Sequence, residues 1–262
     1  MELLKQSLTE RFQQYFDVEF AGSREQKSAV YGIRYRVYCE DFGFEPASDF
    51  PEKQEHDEFD GQSLHCLVTH RRSGKPAGCV RVVSTEGRRG DTILPFEKHC
   101  PGSVRPEFYR TMGLQRESLC EVSRLAVDRA FRRRGGEQFG RLGQGHSMDC
   151  SLQEKRTFSL IAVAGFLAAT ALSDITGRTN VFALMEPFLP RLLHRTGLDF
   201  KRAGEDMDYH GLRAPYFIKT EWAVENMRDD LRGLYNTIYQ QMERSYYTYH
   251  PAVPEKTLKV LS

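Results

Sequence analysis

Leu119-Cys120-Glu121-Val122-Ser123-Arg124-Leu125-Ala126-Val127 is the stretch on which the reading turns. It is short and largely apolar, with three polar residues at its centre, and it reads as a strand. Side chains three apart on a strand point to opposite faces, so Glu121 and Arg124 find their partners in different places. Before it, Ser63 to His70 alternates around Leu64, Cys66 and Val68. A turn at Ser73-Gly74-Lys75 then leads into Pro76 to Ser84, which makes a hairpin. Residues 85–118 are polar, with glycines and prolines, and are assigned one short helix. After Val127 comes Arg132-Arg133-Arg134-Gly135-Gly136 and a glycine-rich polar run to 156, read as a mobile loop.

Further out, Leu4, Leu8, Phe12 and Phe16 recur at helical spacing, and Asp17 to Ala21 is β-like. Ser23 caps a helix running to about Asp41, on which Arg34 and Tyr38 share a stripe one turn apart. A long apolar helix covers Thr157 to about Asp174, and Asn180 to Met185 is a strand. Pro187 starts a short helix ending before Gly197, and two strands follow at about 198–209 and 215–223. Met227, Leu231, Leu234, Ile238 and Met242 mark a last helix, whose Tyr246-Tyr247-Thr248-Tyr249 end is a docking surface or frays. A meander of antiparallel strands followed by strand–helix–strand units predicts one α/β (α+β) domain over 1–250. It has a mixed, mostly antiparallel central sheet flanked by helices, extra helices at both ends, and a loose tail over 251–262.

Composition narrows the function. The 262 residues are 40% hydrophobic and 28% charged, enough for a sizeable core. With 37 basic against 36 acidic residues the net charge is +1, which argues against bulk nucleic-acid binding. No apolar run reaches the length of a membrane span, and Met1-Glu2-Leu3-Leu4-Lys5 does not open a signal peptide, so the expected location is the cytoplasm. The cysteines at 39, 66, 79, 100, 120 and 150 form no metal-binding or redox spacing. They are expected to be reduced and to pack as small apolar residues, Cys120 included.

Three blocks carry chemistry: Arg34-Tyr35-Arg36-Val37-Tyr38, then Glu55-His56-Asp57-Glu58-Phe59-Asp60, then Glu121-Val122-Ser123-Arg124, with Arg81 on the hairpin. A three-carboxylate spacing like that of Glu55, Asp57 and Asp60 arises by chance in roughly one chain in ten, so no block decides alone. Their order and spacing together are far more specific. On these residues the chain resembles the autoinducer-synthase-like branch of the GNAT N-acyltransferases. That branch includes the acyl-homoserine-lactone synthases, the long-chain N-acyl amino acid synthases and the acyltransferases associated with bacterial PEP-CTERM/exosortase systems. Arg34 with Tyr38, the acidic block, Arg81, Phe96, and Glu121 with Ser123 and Arg124 match the lactone synthases' pattern. Arg36-Val37-Tyr38-Cys39-Glu40 with Phe44, and Tyr209-His210-Gly211-Leu212-Arg213-Ala214-Pro215-Tyr216, are most similar to the PEP-CTERM-associated branch. The likeness spans about 28–222 and is strongest over 31–134.

The resemblance implies the GNAT fold and transfer of a fatty acyl group from an acyl-phosphopantetheine thioester, on acyl carrier protein or coenzyme A, to the amine of a small polar acceptor. An amino acid is the first expectation for that acceptor. No permanently bound cofactor or metal is implied. Glu121, Ser123 and Arg124 are the catalytic candidates. Glu121 is the base, or binds the acceptor's ammonium. Arg34, Tyr38, Glu55, Asp57, Asp60, Arg81 and Phe96 are the acceptor-side candidates. The three arginines are expected to bond the three carboxylates, either bracing the acidic loop or reading a polar acceptor. Leu125, Val127, Arg132, Arg133, Arg134, Gly135 and Gly136 are the donor-side candidates. Arg129 and Arg132 to Arg134 either dock an acidic carrier protein or coenzyme A phosphates, or form a solvated basic turn. Leu160, Ile161, Val163, Phe166 and Leu167 line an acyl tunnel or pack as core. His56, His65 and His210 are expected to be hydrogen-bonded surface residues.

Two departures qualify the likeness. Where the lactone synthases carry a tryptophan near the S-adenosylmethionine pocket, Phe44 is the nearest counterpart, and the only tryptophan, Trp222, lies far along the chain. The pyrophosphate loop begins at Arg132 but has Glu137 or Gln138 in place of its last small residue. An amino acid acceptor is therefore the first reading. An acyl-homoserine-lactone synthase using S-adenosylmethionine and a non-catalytic acyl-thioester sensor are the alternatives.

Overall fold

The computed structural model describes residues 6–85, 92–132 and 152–251. The tail beyond 251, Arg133 to Gly136 and the rest of the polar run up to 151 lie outside them.

Alternating apolar residues set the sheet. Strands β1 (Phe16–Phe20), β2 (Ser63–His70), β3 (Lys75–Ser84) and β4 (Leu119–Val127) pair antiparallel in sequence order. β5 (Asn180–Met185) joins β4 in parallel, and β8 (Leu212–Lys219) joins β5 antiparallel. The two-residue strands β6 (Lys201–Arg202) and β7 (Met207–Asp208) both pair with β8. The sheet is thus mixed and mostly antiparallel, as expected, and among the described residues its one parallel seam is β4–β5.

One face of the sheet is covered by α6 (Leu160–Ile175), which follows the short helix α5 (Leu152–Thr157), and by α9 (Asp229–Tyr249), with α1 (Leu8–Tyr15) packed on α9. α6 is apolar nearly all round and buries Ile161, Ala164, Leu167, Ala168 and Leu172. Gly78 of β3 makes this close packing possible: a Cβ there would stand 2.7 Å from Ile161 Cγ2. Phe12, Phe16, Phe131 and Phe158 fill the core's edge beneath α1. The other face carries α2 (Arg24–Arg34), begun by a Ser23 capping box.

Several elements depart from the sequence-based expectation. The first helix stops at Tyr15, because Phe16 already pairs with His70 in the sheet. The second continues past Arg34 as a π-helix, Tyr35–Asp41. Residues 92–118 hold two short helices rather than one, α3 (Pro95–His99) and α4 (Pro106–Met112), each opened by a proline. The short helix α7 (Leu189–His194) has Pro190, not Pro187, in its first turn. β8 ends at Lys219, and Thr220–Glu225 is helix α8. The aromatic end of α9 is helical, with Tyr246 edge-on to Phe20 at 5.4 Å. No helix among the described residues is long and apolar enough to cross a membrane.

Candidate active site

The β4–β5 seam decides where the site lies. Pairing runs Leu119↔Asn180, Cys120↔Val181, Glu121↔Phe182 and then stops. Beyond Glu121 the strands part: β4 stays on β3 and β5 stays on β8. A cavity of about 250 Å³ opens in the gap, lined by Glu121 to Leu125 on one side and Ala183 to Glu186 on the other. Opposite Cys79 and Arg81 the β3–β4 register shifts, and Arg124 adopts a left-handed φ of 51°. A bulge of this kind re-aims side chains and is costly for a non-glycine residue. Here it turns Arg124 onto the acidic loop.

Arg34, Arg81 and Arg124 meet Glu55, Asp57 and Asp60 in one buried network. Arg34 Nε donates to Glu55 Oε2 at 2.5 Å and Nη1 to Asp60 Oδ1 at 2.6 Å. Arg81 Nη1 donates to Asp57 Oδ1 at 2.6 Å and to Asp60 Oδ1 at 3.1 Å. Arg124 reaches Glu55 at 3.3 Å, Asp57 at 3.4 Å and Glu45 at 3.0 Å. Burial alone would raise the Asp60 carboxyl, but the Arg34 and Arg81 guanidiniums outweigh it and hold it well below the usual carboxylate range. Arg34, at 0% exposure, does not line the cavity, and neither do Glu55 and Asp60. They brace the wall from behind, while Asp57, Arg81 and Arg124 show at its surface.

Glu121 has no such compensation. It is 2% exposed, and its Oε2 accepts a hydrogen bond from the Phe96 backbone N–H at 2.7 Å. Burial pushes its carboxyl up to about 8, against the smaller opposing pull of the Phe96 N–H, Arg81 and Arg124. The ring of Phe96 packs in a core cluster with Phe59, Phe182 and Phe217, so Phe96 serves the site through its backbone and not its side chain. Ser123 faces the cavity, and its Oγ accepts from Arg81 Nε at 3.1 Å.

Tyr38 is set by the π-helix, a widened turn often found at functional sites. Its hydroxyl donates to the Leu125 carbonyl at 3.1 Å, and the Arg124 guanidinium lies 5.2 Å from its ring centre. Burial pushes that phenol up to about 12. Arg36 ties the same helix to the end of β4 through Asp128 at 2.6 Å.

Of the donor-side candidates, Leu125 lines the cavity, whereas half-buried Val127 pairs with Gly78 and packs on the main core. Arg132 is bound by Asp41, which also lies 3.7 Å from exposed Arg129, so these two arginines are partly neutralised. Arg133, Arg134, Gly135 and Gly136 fall outside the described residues. Ile161 and Leu167 are core, but Phe166 lines both the main cavity and a smaller apolar hollow that it shares with Val122, Ala169, Val181 and Ile218.

The far wall was not among the expected site residues. Phe42, Phe44, His99, Tyr209, His210 and Arg213 line the cavity opposite Glu121's strand. His210 is therefore no simple surface residue, and its φ of 53°, followed by Gly211 at 95°, makes the tight β7–β8 turn. His65 is also no surface residue. It is fully buried, edge-on to Tyr31 at 5.6 Å, and burial pushes its imidazole down to about 3. His56 is exposed and its Nδ1 lies 3.0 Å from the Gln54 carbonyl oxygen, as expected. The five described cysteines are free and buried, Cys120 with its thiol pushed up to about 12 by burial, which makes it packing and not a nucleophile. Among the described residues no group of side chains could hold a metal ion.

The chain is similar to known proteins in part of its sequence and in its fold. The acetyltransferase (GNAT) domain family matches residues 33–139. No curated protein sequence matches the chain. Among solved structures, TofI, crystallised with an inhibitor and MTA, aligns at a TM-score of 0.54 with 19% identity, covering 78% of this chain and 91% of its own. BjaI, a CoA-dependent acyl-homoserine lactone synthase solved with SAM and isopentyl-CoA, aligns at 0.54 with 15% identity over 85% and 89%. FeeM, an N-acyl amino acid synthase from uncultured soil microbes, aligns at 0.51 with 13% identity over 81% and 94%. Residues 33–139 thus match the GNAT acetyltransferase domain, and the fold of the chain is similar to that of acyl-homoserine-lactone synthases such as BjaI and of FeeM.

Proposed function

We propose that this protein is an N-acyltransferase that moves a fatty acyl group from a thioester, carried by acyl carrier protein, to the amino group of a small polar acceptor, an amino acid in the first instance. The observation that carries the reading is Glu121. It is an uncompensated buried carboxyl at the point where β4 and β5 part, held up near 8 and pinned by one backbone N–H. A base poised near neutral pH is what an ammonium acceptor requires.

The chemistry follows from the geometry. The edge of β4 beyond Glu121 has no partner on β5, so its backbone amides are free to hold the pantetheine arm and the thioester. Glu121 takes a proton from the acceptor's ammonium, and the freed amine attacks the thioester carbonyl carbon. The C–N bond forms, the C–S bond breaks, and the thiolate leaves and takes up a proton, giving amide and thiol. No protein nucleophile is needed. The ionic network is ion-paired throughout and largely buried, so its part is to fix Tyr38 and the β4 bulge, and through them the wall. The acyl chain is assigned to the apolar side of the main cavity, along Val122, Leu125 and Phe166, because a dry wall suits an alkyl chain.

The test is mass spectrometry of lipid extracts from cells expressing the wild type or Glu121→Gln. New N-acyl amino acids in the wild type, reduced by about 100-fold or more in the variant, are expected. Acyl-homoserine lactones would instead favour the reading with S-adenosylmethionine as acceptor. Purified protein that binds acyl carrier protein yet acylates no amine would favour the sensor.

A further inference from the structure

Arg213 stands apart from the other arginines at the site. Arg34, Arg81 and Arg124 each meet at least two carboxylates. Arg213 also lines the cavity, but among the described residues it has no carboxylate within ion-pair distance, and its buried Nε has no hydrogen-bond partner. Its guanidinium lies 5.7 Å from the Phe44 ring centre, and Phe44 is 5.2 Å from His210 and 5.3 Å from the parallel ring of Phe42. On the same wall Tyr209 sits 5.4 Å from His99, nearly parallel to it. These rings pack beside the half-buried guanidinium and leave its Nε without an acceptor. A buried donor of this kind is costly unless a ligand supplies the missing acceptor.

Its place relative to Glu121 is also fixed. Arg213 is the second residue of β8, where Ala214 pairs with Met185 and Phe217 with Phe182. Phe182 in turn pairs with Glu121, so both groups open onto the cavity from either side of β5. The Cys100 thiol, raised first by burial, is raised further by Glu121 and lowered by Arg213, so both charges lie within reach of one sulfur. A carboxyl at one end and an unpaired guanidinium at the other suit a small zwitterion.

We propose that Arg213 is the acceptor's anion-binding residue: it holds the carboxylate of an amine whose ammonium is held by Glu121, with Phe42, Phe44, Tyr209 and His210 as the wall beside it. The proposal rests on the acyl-transfer reading above and adds to it the residue that recognises the acceptor's carboxylate. A phosphate of the donor has the same anionic chemistry, and the kinetic arms separate the two sources.

The experiment uses the full chain with one acyl thioester, the twenty proteinogenic amino acids, and the primary amides of those that are acylated. Wild type is expected to favour each acid over its amide. In Arg213→Gln that preference collapses through a rise of about 10- to 100-fold in KM for the acid, with KM for the thioester unmoved. Arg213→Lys is expected to recover part of it. An unchanged preference in Arg213→Gln overturns the proposal, and a rise in KM for the thioester assigns Arg213 to the donor instead. If no amine is acylated, the acyl-transfer reading itself fails. Calorimetry with the same amino acids then judges Arg213 alone. Binding to wild type about 10-fold tighter than to Arg213→Gln upholds the anion site, and equal binding overturns it.

Discussion

Asp60, behind the cavity wall, and Glu121, on it, are both buried carboxyls, and burial pushes each towards its neutral form, yet they end at opposite extremes. Asp60 faces two guanidiniums within 3.1 Å and is held low, while Glu121 has one backbone N–H and more distant arginines and is held up near 8. The two regions therefore do different work. The acidic loop and its arginines form a closed set of charges that keeps a shape, and the parted seam keeps one group in reserve for a proton. The same chemistry that makes the network rigid would make Glu121 useless as a base.

The largest effect expected from breaking this contrast lies in the network. Arg34→Ala leaves Glu55 and Asp60 buried without their main partner, at a cost of about 3–5 kcal/mol. That lowers the midpoint of thermal unfolding by roughly 10 °C. A calorimetric midpoint within about 2 °C of wild type would show that Arg34 does not brace the wall.

The pH dependence of stability comes next, and the two carboxyls have opposite signs. Asp60 is lower in the fold than unfolded, so it stabilises above about pH 4 and that contribution is lost on further acidification. Glu121 is higher in the fold than its ordinary 4.5, so the fold loses stability as the pH rises from about 4.5 to about 8. Glu121→Gln is therefore expected to match wild type near pH 5 and exceed it above pH 8, by on the order of 3 kcal/mol. Denaturant titrations at both pH values measure this directly, and parallel pH profiles for the two proteins would show that Glu121 is ionised throughout.

The smallest effect joins the two regions. Tyr38→Phe removes the hydrogen bond to the Leu125 carbonyl and costs about 1 kcal/mol, while leaving the ion pairs in place. If that hydroxyl positions the β4 edge, KM for the thioester rises more than KM for the amine. Equal changes in both would restrict Tyr38 to packing.

What was legible in the sequence follows the same division. Strands 63–70, 119–127 and 180–185 fall at their expected ends, because a half-buried strand carries its period in its own residues. Five of the network's six members lie in three local blocks and the sixth, Arg81, on the hairpin, and the structure brings them together. The π-helix after Arg34 has no local pattern to announce it, since its extra residue per turn is set by contacts with Leu125 and Asp128. The short helices at 95 and 106 are too brief to show a period, and only their prolines mark them. The far wall is assembled from Phe42, Phe44, His99, Tyr209 and Arg213, which are distant in sequence. Its signals are Phe44, the counterpart of the lactone synthases' pocket tryptophan, and the stretch from Tyr209 to Tyr216, both noted for likeness alone, and the unpaired state of Arg213 needs three dimensions to be seen.

The account's central claim is that Glu121 is a base held near neutrality by its burial. The direct test is the pH profile of kcat/KM for acyl transfer by the wild type, with Glu121→Gln as control. The account predicts a rise with an apparent pKa near 8 in the wild type, absent from the residual activity of the variant. A wild-type rate already flat above pH 6, or a variant that keeps the same rise, would contradict it.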